Sequence, residues 1–496
     1  MSARVLVVGA GPVGLIVASE LTKYGIDVDI IDRERASTTR SKALSVSAAS
    51  LKAFHGLGLS DVFLRRGKLI EDVYVYYGGR RCAHINNRYL DTCYRGYLSI
   101  SQPETEQILT EHLVSQGTRI RRGIELTAIR NLPDRVDVTL RDHTFKRETP
   151  GSYDFVIGCD GAQSSVRQLL EIPFVGKDYD MHFIMGDVRF DTAKDFSSTS
   201  YHVADDGFMI FLPMAQGLTR LVIKKEGPLA PDRAPPQVDE LQAFFDRHYP
   251  ETLTIQSVEW ASSARFFSRI ARENALGRVF LAGDAYHLFS PIGGQGMNTG
   301  IQDAINLAWK LALYANGKAK RRLIDTYPEE RYSVVTKVLN STHINTEIIS
   351  RTGDHPDKEI LYHPRMSNRQ LYRAILPTEF SGLHADHSTE ASSTVGRHVP
   401  FFNITDRNLN IEDSYDIPKL KRNIGFVKNS ASTSHIASRM RDYEVSLCPL
   451  EPSDIETAKL LQLTSDNDVC MVRPDGYISY KGPLDDLPQY LAEFYA

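Results

Sequence analysis

The chain has 496 residues, 42% hydrophobic and 24% charged, with a formal net charge of −4. That length accommodates two or three domains with sizeable cores, and so small a charge offers no field for nucleic acid or an anionic membrane surface. No apolar run is long enough to span a bilayer, and five scattered cysteines form neither a CxxC pair nor a metal-ligand spacing, so a reducing cytoplasm, free thiols and no metal are expected.

The first predicted element is a buried parallel strand over Val5–Val8. "GAGPVG" follows, with glycines at 9, 11 and 14, and then Val13, Ile16, Val17 and Leu21 at helical spacing. "IDVDIID" reads as the next strand and ends on Asp32. Strand, glycine turn, helix, strand and acid form the dinucleotide fingerprint. Gly9 allows the tight turn, Gly11 lets backbone approach a pyrophosphate, and Gly14 lets helix and sheet pack closely. Pro12 suits the first helical turn, where its missing N–H costs nothing. The helix N-terminus then faces a diphosphate, and Asp32 can accept from an adenosine ribose. The acid favours a ribose with a free 2′-OH, and leaves FAD and NAD both open. The glycine and proline spacing argues against a secretory leader here.

In "YDFVIGCDGAQSSVRQLL" an apolar strand, Phe155–Ile157, runs into Asp160-Gly161, and a helix begins near Ser164 with Arg167 in its first turn. Taken alone, Asp-Gly after a strand is an ordinary turn. Residues 173–275 alternate or run apolar for strand lengths between Gly, Pro and Asp turns. They predict a mostly antiparallel sheet inserted between two cofactor segments.

"GRVFLAGDAYHLFSPIGGQGMNTG" is a further buried strand ending at Gly283-Asp284, then a loop from Pro291 through Gly293, Gly294, Gln295, Gly296 and Met297 to Asn298. That loop opens a helix with Ile301, Ala304, Ile305, Ala308 and Leu311 on one face. A glycine-fed helix N-terminus stabilises an anion. Reduced flavin carries negative charge at N1 and the C2 carbonyl, so the loop suits its ring and Asp284 suits a ribityl hydroxyl.

Helix continues over about 302–350. The polar, His- and Ser-rich stretch 353–395 reads as a linker or lid, its His384 and His387 solvated rather than metal-bound. Residues 396–496 read as strands joined by turns and helices.

The three motifs, in this order and spacing, resemble those of the FAD-dependent single-component aromatic hydroxylases, in the subgroup of phenol and polyketide hydroxylases. The resemblance implies an α/β fold: a Rossmann-like FAD-binding domain from 1–172 and 276–352, with the sheet of 173–275 as its substrate domain. It also implies a C-terminal thioredoxin-like domain over 396–496, here without a redox CxxC. By the same resemblance Gln102 contacts flavin, Arg33 lies near the adenosine, and Lys42 stands where relatives carry an Arg near the pyrophosphate. NAD(P)H, with NADPH favoured, would bind transiently over the flavin near Asp160 without a domain of its own. A homodimer is possible by analogy.

The chemistry so implied is oxygen transfer from a C4a-hydroperoxyflavin to a phenolic or polyketide-like aromatic, in secondary metabolism or aromatic catabolism. Epoxidation or Baeyer–Villiger oxidation by the same flavin is an alternative, and a non-catalytic binding protein on a flavoprotein fold is another. Relatives place an acid where Leu44 stands, so a phenol-ionising base is sought among His287, Tyr286, Arg265, Tyr201 and His202, with His287 and Tyr201 as catalytic candidates.

Overall fold

The valines at the head of the chain alternate between two cores, and that alternation builds the cofactor domain. In the computed structural model, which describes residues 3–37, 43–87, 92–204, 207–227, 229–230, 233–290, 293–350, 395–404, 409–428, 436, 440, 443–451 and 453–495, the strand Arg4–Val8 lies inside a six-stranded sheet. The order is Ala275–Leu276, Val279–Leu281, Phe155–Gly158, Arg4–Val8, Asp27–Asp32 and Ile120–Arg122, parallel except at the first strand. Val5 and Val7 pack with Leu15, Ile16 and Leu21 of the helix Pro12–Lys23 and with Ile301, Ala304 and Ala308 of the helix Gln295–Ala315. Leu6 and Val8 face the other way, against Leu126, Val136 and Val138 of a three-stranded meander and against Val334, Val335 and Val338 of the helix Arg321–Ser350. Burial on both faces explains why these strands read as unbroken apolar runs.

The second sheet has eight strands, in the order His287–Leu288, Ile255–Ala271, Phe174–Phe190, Thr219–Glu226, Gly207–Pro213, Ser198–Ala204, Asp72–Tyr77 and Arg80–Asn86. It is antiparallel except where Ser198–Ala204 runs parallel to Asp72–Tyr77. The sheet is therefore larger than the predicted 173–275 insertion. A hairpin from the N-terminal segment closes one edge, turning through Gly78 and Gly79, both at positive φ. The strand after Asp284 closes the other edge.

Near the C-terminus a four-stranded sheet runs Val445–Pro449, Asn423–Val427, Asp468–Val472, Ile478–Pro483. Its first pair is parallel and the rest antiparallel. It docks on the cofactor domain through a core shared by Trp309, Leu313 and Leu323 with Val427, Met471, Leu487 and Leu491. The predicted linker 353–395 lies, apart from Val395, outside the described residues. Among the described residues, no helix is long and apolar enough to cross a membrane.

Candidate active site

The glycine turn closes against backbone. Gly9 sits at φ +103°, and a Cβ there would lie 2.4 Å from the Cys159 carbonyl oxygen. On Gly14 a Cβ would lie 1.9 Å from the Gly9 carbonyl oxygen, so helix and turn are in direct contact. Gly11 is different. A Cβ there would meet nothing within 4 Å among the described residues, at the point where the first amides of the helix Pro12–Lys23 face outward. This open cradle at a helix N-terminus fits a diphosphate. Asp32 accepts Ala10 N–H at 2.7 Å and Glu34 N–H at 2.8 Å, one on each oxygen. Each oxygen keeps a lone pair for a ribose hydroxyl. Arg33 is exposed beside Glu34.

The second motif meets the first directly, since Gly9 packs on Cys159 and Asp160. Asp160 Oδ2 accepts Ser165 N–H at 2.6 Å and caps the short helix Ser165–Leu169, while its Oδ1 is enclosed with no partner among the described residues. Burial, only partly offset by these hydrogen bonds, pushes its carboxyl above the ordinary range. Gly161, at φ +78°, borders open space. Arg167 donates to the carbonyls of Ala285 at 2.9 Å and Ala162 at 2.7 Å and lies over the Phe174 ring. It ties the second motif to the third through two of its five N–H donors.

The third motif closes on the first through Val13, whose Cγ2 would lie 2.8 Å from a Cβ on Gly283 and 2.7 Å from one on Gly300. Asp284 follows, exposed, at the end of its strand. Gly293 at φ +95° and Gly294 at φ +62° turn the chain into the helix Gln295–Ala315, and a Cβ on Gly296 would again meet nothing within 4 Å among the described residues. Gln295 donates to the Gly293 carbonyl, and Met297 packs on the core. Gln102 opens the helix Gln102–Ser115, accepts Ala43 N–H at 3.3 Å and donates to Glu106. It thus adjoins the segment carrying Lys42, which, with Pro291, lies outside the described residues.

This geometry limits one expectation, for the Asn298 side chain, and corrects another, for His287. The Asn298 carboxamide accepts from Ser47 N–H and Ser50 Oγ–H and donates to the carbonyls of Ser45 and Gly294. Its hydrogen-bonding capacity is used up within the protein, so it shapes the loop and has no side-chain group left for a cofactor. His287 is fully buried and gives its Nε2–H to Asp303 Oδ2 at 2.6 Å. Asp303 also accepts Gly283 N–H at 3.0 Å and Arg331 Nε–H at 2.6 Å. Burial opposes ionisation of Asp303, but His287, Arg331 and these hydrogen bonds outweigh it and hold the carboxyl below the ordinary range. His287 is a strut for the Gly283-Asp284 turn, enclosed on all sides, and meets no substrate. Neither Asp303 nor Arg331 was singled out from sequence. The Asp lies five residues past the glycine loop, one helical turn beyond Thr299, and only its chemistry on a buried helix face marks it.

The remaining base candidates divide by sheet face. Tyr201 lies in an apolar wall with Tyr97, Met181, Phe183, Met185 and Phe208. His202, next along the strand, points to the other face and stacks on Tyr76, and burial with His248 nearby pulls its ring down to about 4. Tyr286 is buried among Val334, Val335 and Phe289, and Arg265 donates to the Leu229 carbonyl. Leu44 is buried.

Asp284→Ala is expected to leave the fold intact, because the side chain is exposed, and to lower FAD retention about tenfold, one charge-assisted hydrogen bond's worth. Flavin content after gel filtration measures it.

Residues 2–342 match the family described as FAD binding domain. The chain is 35% identical to rifampicin monooxygenase of Streptomyces venezuelae over 350 residues, covering 70% of this chain and 71% of that protein. It is 28% identical over 486 residues to YhjG of Bacillus subtilis, described as an uncharacterized aromatic compound monooxygenase, covering 97% and 94%. Among solved structures, the OxyS anhydrotetracycline hydroxylase from Streptomyces rimosus superposes with a TM-score of 0.79 at 26% identity, covering 100% of this chain and 99% of that one. With an open cradle at Gly11, an exposed acid at Asp284 and a glycine-opened helix beside both, the chain belongs to the FAD-binding family of flavin-dependent monooxygenases.

Proposed function

We propose that the enzyme hydroxylates a flat, largely apolar phenolic or polyketide-like aromatic, with NAD(P)H as transient reductant and oxygen as co-substrate. FAD, held by the three motifs, supplies the oxygen chemistry when bound; the chain binds, orients and keeps water out. One observation carries the substrate class. The wall of the eight-stranded sheet that bears Tyr201 is lined by Tyr97, Met181, Phe183, Met185, Phe208 and Val222. The buried guanidinium of Arg220 on this face is bound side-on by Asp187 at 2.7 and 2.8 Å and lies over Trp260, so its charge is already answered within the protein. Tyr97 links this wall to the flavin loop. Its hydroxyl meets Thr199 of the sheet, and its strand, Tyr97–Ser99, pairs with Ser45–Val46, which touches Gly294 and Asn298.

Tyr201 is assigned as a neutral hydrogen-bond donor to a substrate oxygen. Burial pushes its hydroxyl up to about 12, so it does not serve as a base near neutral pH. The C-terminal unit is assigned a thioredoxin-like fold on its strand order and parallel first pair. Cys448 and Cys470 are buried in its core, and burial pushes the Cys470 thiol up to about 12, which argues for packing and against thiol redox.

Purified protein loaded with FAD and supplied with NADPH or NADH is expected to consume the nucleotide faster with polycyclic phenols than with small carboxylated ones, and to yield a product one oxygen atom heavier. Consumption unaffected by any aromatic, or preference for the carboxylates, would overturn the reading.

A further inference from the structure

Two polar networks meet at adjacent residues of the helix Arg321–Ser350. Arg331 reaches Asp303, which holds the Gly283 amide and so the Gly283-Asp284 turn. Glu330, one residue earlier, reaches the C-terminal unit: Arg473 Nη1–H donates to its Oε1 at 2.9 Å. Arg473 is held in turn by both oxygens of Asp475, at 3.0 and 2.6 Å. Asp475 also accepts the indole N–H of Trp309 at 3.1 Å. Lys310 pairs with Glu330 at 2.9 Å and donates to Asn306, whose amide donates back to Glu330 at 2.7 Å. Tyr477, closing the turn, donates its hydroxyl to Gln302 at 2.9 Å, and Gln302 donates to the Ala49 carbonyl of the helix whose N-cap, Ser47, is held by Asn298.

Gln302, Asp303, Asn306, Trp309 and Lys310 all lie on the helix Gln295–Ala315, whose N-terminus carries the flavin loop. Lys310, Glu330, Arg473, Asp475, Arg331 and Asp303 are all buried, and their opposite charges pair off. Such a set tolerates one arrangement and penalises the loss of any member, because a buried charge is then left unpaired. Arg473 and Glu330 therefore fix the register of the Arg321–Ser350 helix, and that register determines where Arg331 presents its guanidinium to Asp303.

We propose that the Arg473–Tyr477 turn of the C-terminal unit is a positioning element of the flavin site. It seats the third-motif helix and the Gly283-Asp284 turn in the arrangement that FAD requires, although it lies behind the helix and not in the cofactor cleft. Arg473, Asp475 and Tyr477 act through Glu330, Trp309 and Gln302 and touch neither cofactor nor substrate.

The test uses the full chain and reads FAD dissociation constant, the visible spectrum and midpoint potential of bound flavin, and the unfolding midpoint of the apoprotein. Tyr477→Phe removes one hydroxyl and is expected to weaken FAD binding about fivefold and shift the flavin spectrum while the apoprotein unfolds at nearly the wild-type midpoint. Arg473→Met is expected to weaken binding by tenfold or more, and Arg473→Lys, which keeps the charge, to recover part of it. Tyr480→Phe, whose hydroxyl donates to the Pro483 carbonyl within the same unit, is the control and is expected to match wild type. If Tyr477→Phe and Arg473→Lys fold and keep FAD affinity within twofold, with unchanged spectrum and potential, the proposal is overturned. Should Arg473→Met fail to fold, Tyr477→Phe still decides.

Discussion

Gly14→Ala is expected to unfold much of the cofactor domain, whereas Gly11→Val is expected to leave the apoprotein folded and deprive it of FAD. The two glycines lie three residues apart in one motif and differ in what surrounds them. A methyl on Gly14 would sit 1.9 Å from the Gly9 carbonyl oxygen and 3.0 Å from its carbon. Both are backbone atoms of a turn that is itself wedged against Cys159, so neither can retreat without parting the helix Pro12–Lys23 from the central strand. The cost is on the order of 4 kcal/mol, above the roughly 1–3 kcal/mol of ordinary overpacking because the atoms met are backbone. Gly11 has φ −78°, open to any residue, and its Cβ would meet nothing within 4 Å among the described residues. Valine there loses a favourable N-cap residue, at about 1 kcal/mol, but fills the space a diphosphate would occupy. FAD affinity is expected to fall by about 100-fold or more. Urea unfolding of the apoproteins alongside flavin titration separates the two outcomes; equal unfolding midpoints for the two variants would refute the packing argument.

The same contrast explains what was legible before the structure. Each motif sits where a buried strand meets a helix, and such junctions leave a local mark: branched apolar residues, then glycines, then helical spacing. The central strand, its helix and the third-motif helix fall where these marks place them. The hairpin Asp72–Tyr77 to Arg80–Asn86 was not singled out from sequence, although residues alternate in burial along Asp72–Tyr77 before Gly78-Gly79. Its membership of the second sheet leaves no local mark, because that depends on a parallel pairing with Ser198–Ala204 more than a hundred residues away. Polar networks are the least legible feature. Asp303, Arg331, Glu330 and Arg473 lie on three separate elements, and nothing in the spacing of any one of them shows that its charge is buried and answered by another. For the same reason His287 reads from sequence as a candidate base beside a cofactor motif, when it is bound to an acid one helix away.

Asp303→Asn is the substitution expected to do most damage without touching the cofactor cleft. The carboxylate accepts three donors: Gly283 N–H, His287 Nε2–H and Arg331 Nε–H. An asparagine offers one oxygen and a donor group, so whichever way it turns its NH2 faces a donor, and Arg331 is left charged and unpaired in the core. Breaking a buried pair in this way costs about 3–5 kcal/mol, and the Gly283-Asp284 turn loses its anchor, so FAD retention should fall with stability. The pH dependence separates this from simple packing loss. Because the folded-state carboxyl is held below the ordinary range, its contribution is fully present above the unfolded pKa, about 4, and is lost as pH falls from there through the lower folded value. Wild-type stability and flavin retention should therefore decline over that acid window, and Asp303→Asn, having no such carboxyl to protonate, should decline less steeply. Parallel curves for the two proteins, measured by urea midpoint and bound flavin from neutral pH down to about pH 3, would show that Asp303 does not carry the ionic tie on which the acidic turn depends.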